Sequence, residues 1–215
     1  MASKLDFLLH VLEKNDFRHL KDSLPKSKEK NFRDSNLSNQ VFEIYEAMGG
    51  IRNEYPWEAP EWDLEFETFA LKLDEAPQFN RYRGITLKAE IYINSPFFSL
   101  ENYKRYCRQF EMECLKAAKH SAMWTDSDSE RYFGKSEESG DLALNGSAKW
   151  KQRAFFGFLE DVSATLLKIK LIRISIHDNI MINNKLVKLD TLLISQNPQN
   201  EKYLWNFLSR KIMKE

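Results

Sequence analysis

Cysteine is nearly absent, with Cys107 and Cys114 the only two in 215 residues. That is too few for a disulfide framework or a zinc site. Net charge is absent as well. Lys plus Arg and Asp plus Glu each number 32, so no whole-molecule field draws in nucleic acid and any surface for it must be a local patch. No apolar run reaches the ~18 residues of a membrane span. Asp6, His10 and Glu13 interrupt the only N-terminal stretch that could pass for a signal peptide. The chain also lacks a Walker-type glycine loop, a Gly-x-Ser-x-Gly elbow, HExxH, CxxC and any internal repeat. Those gaps weigh against ATPase, serine-hydrolase, zincin and redox chemistry. What is left is the expectation of a cytoplasmic protein with no membrane contact.

What is present suffices for a core: 42% of residues are hydrophobic and 13% aromatic. Leu5, Leu8, Leu9 and Leu12 recur at helical spacing, and residues 21–36 are charged and poor in apolar groups. A helix is expected from Ser38, with Val41, Phe42, Tyr45 and Met48 on one face and Gly49-Gly50 as its stop. From Leu64 the period becomes two, with a change of phase near Glu67–Thr68 that requires a bulge or tight turn. Residues Ile85–Asn94 alternate as a strand would, without excluding other structure. Ser99–Lys119 reads as one long helix with both cysteines on its buried stripe, and residues 120–149 read as a long polar loop. A helix over 149–167, a strand around Ile172–Ile176, a turn at Asn183-Asn184 and a last helix over 201–213 complete the chain. The expected fold class is α/β or α+β: a small mixed sheet flanked by helices over residues 37–215, preceded by a helical extension over residues 1–36.

The segment Leu71–Tyr92 concentrates the chemistry. A strand ends in Lys72-Leu73-Asp74-Glu75, and Gln78, Asn80, Arg81, Tyr82 and Arg83 follow at once. Hydrolysis of a phosphodiester with a divalent ion needs two or three carboxylates held together, and Asp63, Asp74 and Glu75 are candidates to hold Mg²⁺ or Mn²⁺. Lys72 lies two residues from Asp74, on the same strand face, where an ammonium could orient the attacking water. Asn80, Arg81 and Arg83, with Lys151 and Arg153 on the later helix, are candidates to hold a nucleic-acid backbone. The alternative for the arginines is internal pairing with Asp74, Glu75 or Asp141. Among the four histidines only His177, beside Asp178, is placed as a candidate acid–base group.

The run Leu73-Asp74-Glu75-x-x-Gln78-Phe79-Asn80-Arg81-Tyr82-Arg83-x-x-Thr86-Leu87 resembles a bacterial family of uncharacterised proteins. Tyr103-x-x-Tyr106-Cys107, Glu113-Cys114, Gly140-Asp141-Leu142 and Trp150-Lys151-Gln152-Arg153-Ala154-Phe155 extend the resemblance over about residues 38–195. That family's strand pattern, Glu-x-Asp-Glu, is similar to the restriction-endonuclease-like PD-(D/E)xK superfamily. The resemblance implies a nuclease acting on nucleic acid, in defence or repair, with Asp63 and Asp74 as metal acids and Glu43 as an accessory acid. It also exposes a departure, because Lys72 stands where the family has Glu. Losing a carboxylate and gaining a cation opposes metal binding. Three functions therefore stay open: an altered but working nuclease, a degenerate nuclease fold that binds nucleic acid or protein, and a structural domain held by ion pairs.

Overall fold

A three-stranded mixed sheet carries the chemistry-bearing residues in the computed structural model, which describes residues 3–53, 55, 57–93, 98–117 and 121–213. Strand β1 (Leu64–Glu65) pairs antiparallel with β2 (Ala70–Asp74), and β2 runs parallel to β3 (Leu171–Ser175). The expected change of phase is a tight turn: Phe66 N–H donates to Phe69 O at 2.8 Å and the two rings stack 4.7 Å apart. The parallel register sets Lys72 opposite Arg173 and Asp74 opposite Ser175. A parallel pair needs a crossover, and here nearly a hundred residues of mostly helical chain supply it. Leu71, Ile172 and Ile174 are fully buried.

Helix α1 (Lys4–Glu13) opens with a reciprocal Ser3–Asp6 capping box, and its Leu8 and Leu12 are fully buried in the main core. The charged stretch after it is not featureless, since α2 (Glu29–Arg33) drops Phe32 completely into that core. Helix α3 (Ser38–Ala47) ends as the glycine pair predicts. Gly49 N–H donates to Glu46 O and Gly50 N–H to Tyr45 O, with Gly49 at φ +81°, the two bonds of a Schellman stop.

Three sequence expectations change. Residues 85–93 form no strand: α4 (Arg81–Thr86) reaches into them and a 3₁₀ turn follows at Glu90–Tyr92, while Asn94 lies outside the described residues. The long helix breaks at Phe110 into α5 (Leu100–Gln109) and α6 (Glu111–Ala117), and Lys119 and His120 lie outside the described residues. At the break Phe110 leaves helical dihedrals, at φ −109° and ψ 11°, while still donating to Tyr106 O and accepting from Cys114 N–H at 2.9 Å each, and its ring stacks 3.7 Å from His177. The polar stretch after it contains α7 (Ser121–Trp124) and α8 (Ser127–Phe133), leaving residues 125–126 and 134–147 as its irregular chain among the described residues.

Helix α9 (Ala148–Leu166) is the central one, capped by Ser147 and buried along most of its circumference. The hairpin of β4 (Asn179–Ile182) and β5 (Lys185–Lys188) turns through Asn183-Asn184, at φ +47° and +61°, as a two-residue turn of this kind requires. Helices α10 (Leu189–Ser195) and α11 (Glu201–Ile212) follow and pack on α1. Among the described residues, no helix is long and apolar enough to cross a membrane.

Candidate functional site

The end of β2, the turn Ala76–Gln78 and one face of α9 enclose a half-open cleft of about 620 Å³. Of the candidates, Asp63, Lys72, Asp74, Glu75, Asn80, Arg83 and Arg153 line it, whereas Glu43, Arg81 and Lys151 do not. Glu43 is exposed on α3.

The acids in the cleft already have cations. Lys72 Nζ lies 3.1 Å from Asp63 and 3.0 Å from Glu160, and donates to Glu61 O at 3.2 Å. The second oxygen of Asp63 accepts Leu73 N–H at 2.7 Å. Beneath them Arg173, 2% exposed, spreads its guanidinium over three acids: Asp74 at 2.7 Å, Glu160 at 2.6 Å and Asp161 at 2.6 Å. It also donates to Gly157 O at 2.8 Å. Tyr103 Oη donates to the other oxygen of Asp74 at 2.8 Å, and Tyr92 Oη to Asp161 at 2.5 Å. Glu75, on the rim, pairs with Lys4, which also reaches Asp190.

These pairings set the protonation of the cluster. Burial draws the Lys72 ammonium down, but Glu160 and Asp63 outweigh it and hold the pKa above its ordinary value. Burial raises Glu160 despite its two cations. Asp161, opposed by burial, is kept below the ordinary carboxylate range by Arg173 and Arg83. Burial pushes the Cys107 and Cys114 thiols up to about 12, so both are neutral packing groups.

A divalent ion needs carboxylate oxygens free to face it. Among the described residues, no group of three or more Asp, Glu, His or Cys side chains is disposed to hold a metal. The donor set around Asp63 and Asp74 is engaged by Lys72 and Arg173 instead, and does not fit Mg²⁺ or Mn²⁺ in this arrangement.

The basic candidates are largely engaged too. Asn80 is the N-cap of α4, accepting from Tyr82 and Arg83 N–H at 3.0 and 3.2 Å. Arg81 makes a bidentate pair with Glu111, both bonds at 2.9 Å. Arg83, 3% exposed, pairs with Asp161 at 2.9 Å. Internal pairing thus occurs, although with Glu111 and Asp161 and not with Asp74, Glu75 or Asp141. Lys151 is buried, donating to Asn145 at 2.5 Å, and burial lowers its pKa. Arg153 alone has no hydrogen bond, ion pair or ring contact among the described residues. His177 lies away from the cleft, packed on Phe110 and Phe79, with Nε2 unpartnered and its pKa brought down to about 4 by burial.

The central groups that sequence reasoning missed are Glu160, Asp161 and Arg173. Arg173 alternates with Ile172 and Ile174 and so resembles a solvent-face residue, and the Glu160-Asp161 pair looks like a helix's wet side. The signal against that reading was there: α9 has too many apolar residues to own a broad wet face.

The chain belongs to the family of unknown function DUF7255, which matches residues 43–195, more than half its length. No curated protein and no solved structure matches the chain significantly.

Proposed function

We propose that this chain is a restriction-endonuclease-like fold that has given up metal chemistry and acts by binding in its cleft. The observation that carries this reading is the placement of Arg173 and Lys72. Two protein cations stand among Asp63, Asp74, Glu160 and Asp161, where a nuclease would place its metal. The nuclease-like lineage draws support from the β1–β2 hairpin, which brings Asp63 beside Lys72-x-Asp74, and from the α9 crossover to parallel β3. Binding along a nucleic-acid backbone would demand a track of available cations. Here Arg81, Arg83 and Lys151 are spent internally, which favours a small occupant over a polymer.

A second reading, an altered Mg²⁺- or Mn²⁺-dependent nuclease, draws on one contact. Asp63, Lys72 and Glu160 meet at the cleft within 3.1 Å, so displacing one ammonium would leave two carboxylates facing each other. Incubating the protein with single- and double-stranded DNA and RNA in Mn²⁺ decides between them. No cleavage is expected, and no rise in melting temperature with added Mn²⁺. Cleavage that disappears in Asp63→Asn overturns the binding-module reading.

A further inference from the structure

We propose that the cleft beside α9 binds a small monocarboxylate with an apolar body, its carboxylate held by Arg153. A volume of about 620 Å³ lies within the ordinary range for a small-molecule pocket. Its charge is the deciding feature. As described above, Lys4, Lys72, Arg83 and Arg173 all have carboxylate partners, and so do not call for a ligand anion. Arg153 has none, and it is half-buried on the cleft wall. An unpaired guanidinium on the wall of a cleft, with no acid or carbonyl to accept from it, is available to a supplied anion.

The rest of the wall defines the ligand's body. Pro60, Pro77, Met123, Ala154 and Phe156 line the same cleft with apolar surface. Gln78 adds one donor: its amide oxygen accepts Glu75 N–H at 3.0 Å, leaving its –NH₂ without a partner among the described residues. One uncompensated cation matches a carboxylate. A phosphate monoester brings close to two negative charges and would face Asp63, Glu75 and Glu160 across the same space. Arg153 meets a ligand anion only while those acids stay neutralised, Glu75 by Lys4 and Asp63 and Glu160 by Lys72 and Arg173, which is the state proposed above.

The test is calorimetric titration of the full chain in EDTA. Octanoate and 3-phenylpropionate are compared with octanamide and octyl phosphate. The two carboxylates are expected to bind, the amide about tenfold more weakly or worse, the cost of losing a charged hydrogen bond, and the phosphate more weakly because its second charge faces the acids of the cleft. Arg153→Gln is expected to lose carboxylate affinity by about tenfold or more. Its unliganded melting temperature should not change, because Arg153 has no ion pair to lose. Phe156→Ala should weaken both carboxylates with the charge discrimination intact. Equal binding by Arg153→Gln and the wild type overturns the proposal, as does equal binding of octanoate and octanamide, or no binding of either carboxylate at millimolar concentration. Each of those results leaves the cleavage experiment untouched. Cleavage in Mn²⁺ would instead sink the binding-module reading whatever the carboxylates do.

Discussion

Replacing Arg173 by Met keeps an unbranched apolar stem and removes the guanidinium from Asp74, Glu160 and Asp161, which it meets at 2.7, 2.6 and 2.6 Å. The three acids do not lose equally. Asp161 keeps Arg83 at 2.9 Å and Tyr92, and Glu160 keeps Lys72 at 3.0 Å. Asp74, 1% exposed, keeps only the Tyr103 hydroxyl. The damage is therefore close to one uncompensated buried carboxylate, about 3–5 kcal/mol. At about 2.1 cal/mol/K of unfolding entropy per residue, 215 residues give about 0.45 kcal/mol/K, so the melting temperature should fall by about 7–11 °C. Urea denaturation of wild type, Arg173→Met, Asp74→Asn and the double variant at pH 7 measures each part. The double variant, with neither charge, should recover much of what Arg173→Met loses. A loss under about 1 kcal/mol or no rescue by Asp74→Asn would refute the picture of Arg173 as an internal replacement for a metal ion.

Gly146→Ala should cost more than about 2 kcal/mol: Gly146 sits at φ +60° and a Cβ there overlaps Tyr82 Oη. Thermal denaturation checks this, and a melting temperature within a degree of wild type would contradict it. Gly157→Ala should do the opposite and add about 0.5–1 kcal/mol, since it removes glycine's entropy cost inside a helix. Its Cβ makes only ordinary contacts at 3.7–3.8 Å with Arg83 and Arg173. His177 makes the fold acid-sensitive, with Glu113 and Asp190 opposing burial and Lys188 reinforcing it. A pKa lowered from 6.5 to about 4 means the unfolded chain binds the proton first, so stability present above about pH 6.5 is lost as pH falls toward 4. The full loss is about 3 kcal/mol. His177→Phe, which preserves the ring packing, should lose distinctly less on the same descent; an equal loss would move the acid sensitivity elsewhere.

Much of this architecture could be read from local rules. The Gly49-Gly50 stop of α3, the Asn183-Asn184 hairpin and the phase change before Phe69 each follow from backbone chemistry that a few residues decide. The failures share a different cause. Alternation over Ile85–Asn94 imitates a strand, because the end of a short helix and a 3₁₀ turn also bury Leu87, Ala89 and Tyr92 at uneven steps. At the Phe110 break the ring stacks on His177, a neighbour distant in sequence that no local pattern announces.

The charged cluster escaped for a more specific reason. Polar-out alternation along a strand presumes that one face of the sheet meets water, and β3 has no such face: Ile172, Arg173, Ile174 and Ser175 are all buried. A charge inside such a strand must be paired, and the same holds for two adjacent acids midway along a helix that is buried nearly all round. Arg173 and Glu160-Asp161 are the residues that meet both conditions, and they pair with each other across the two elements. The strand-end acids looked like an active site because they were considered without these cations. With Arg173 and Lys72 in place, the acids around them are neutralised from within, and among the described residues Arg153 is left as the charge of the cleft that still lacks a partner.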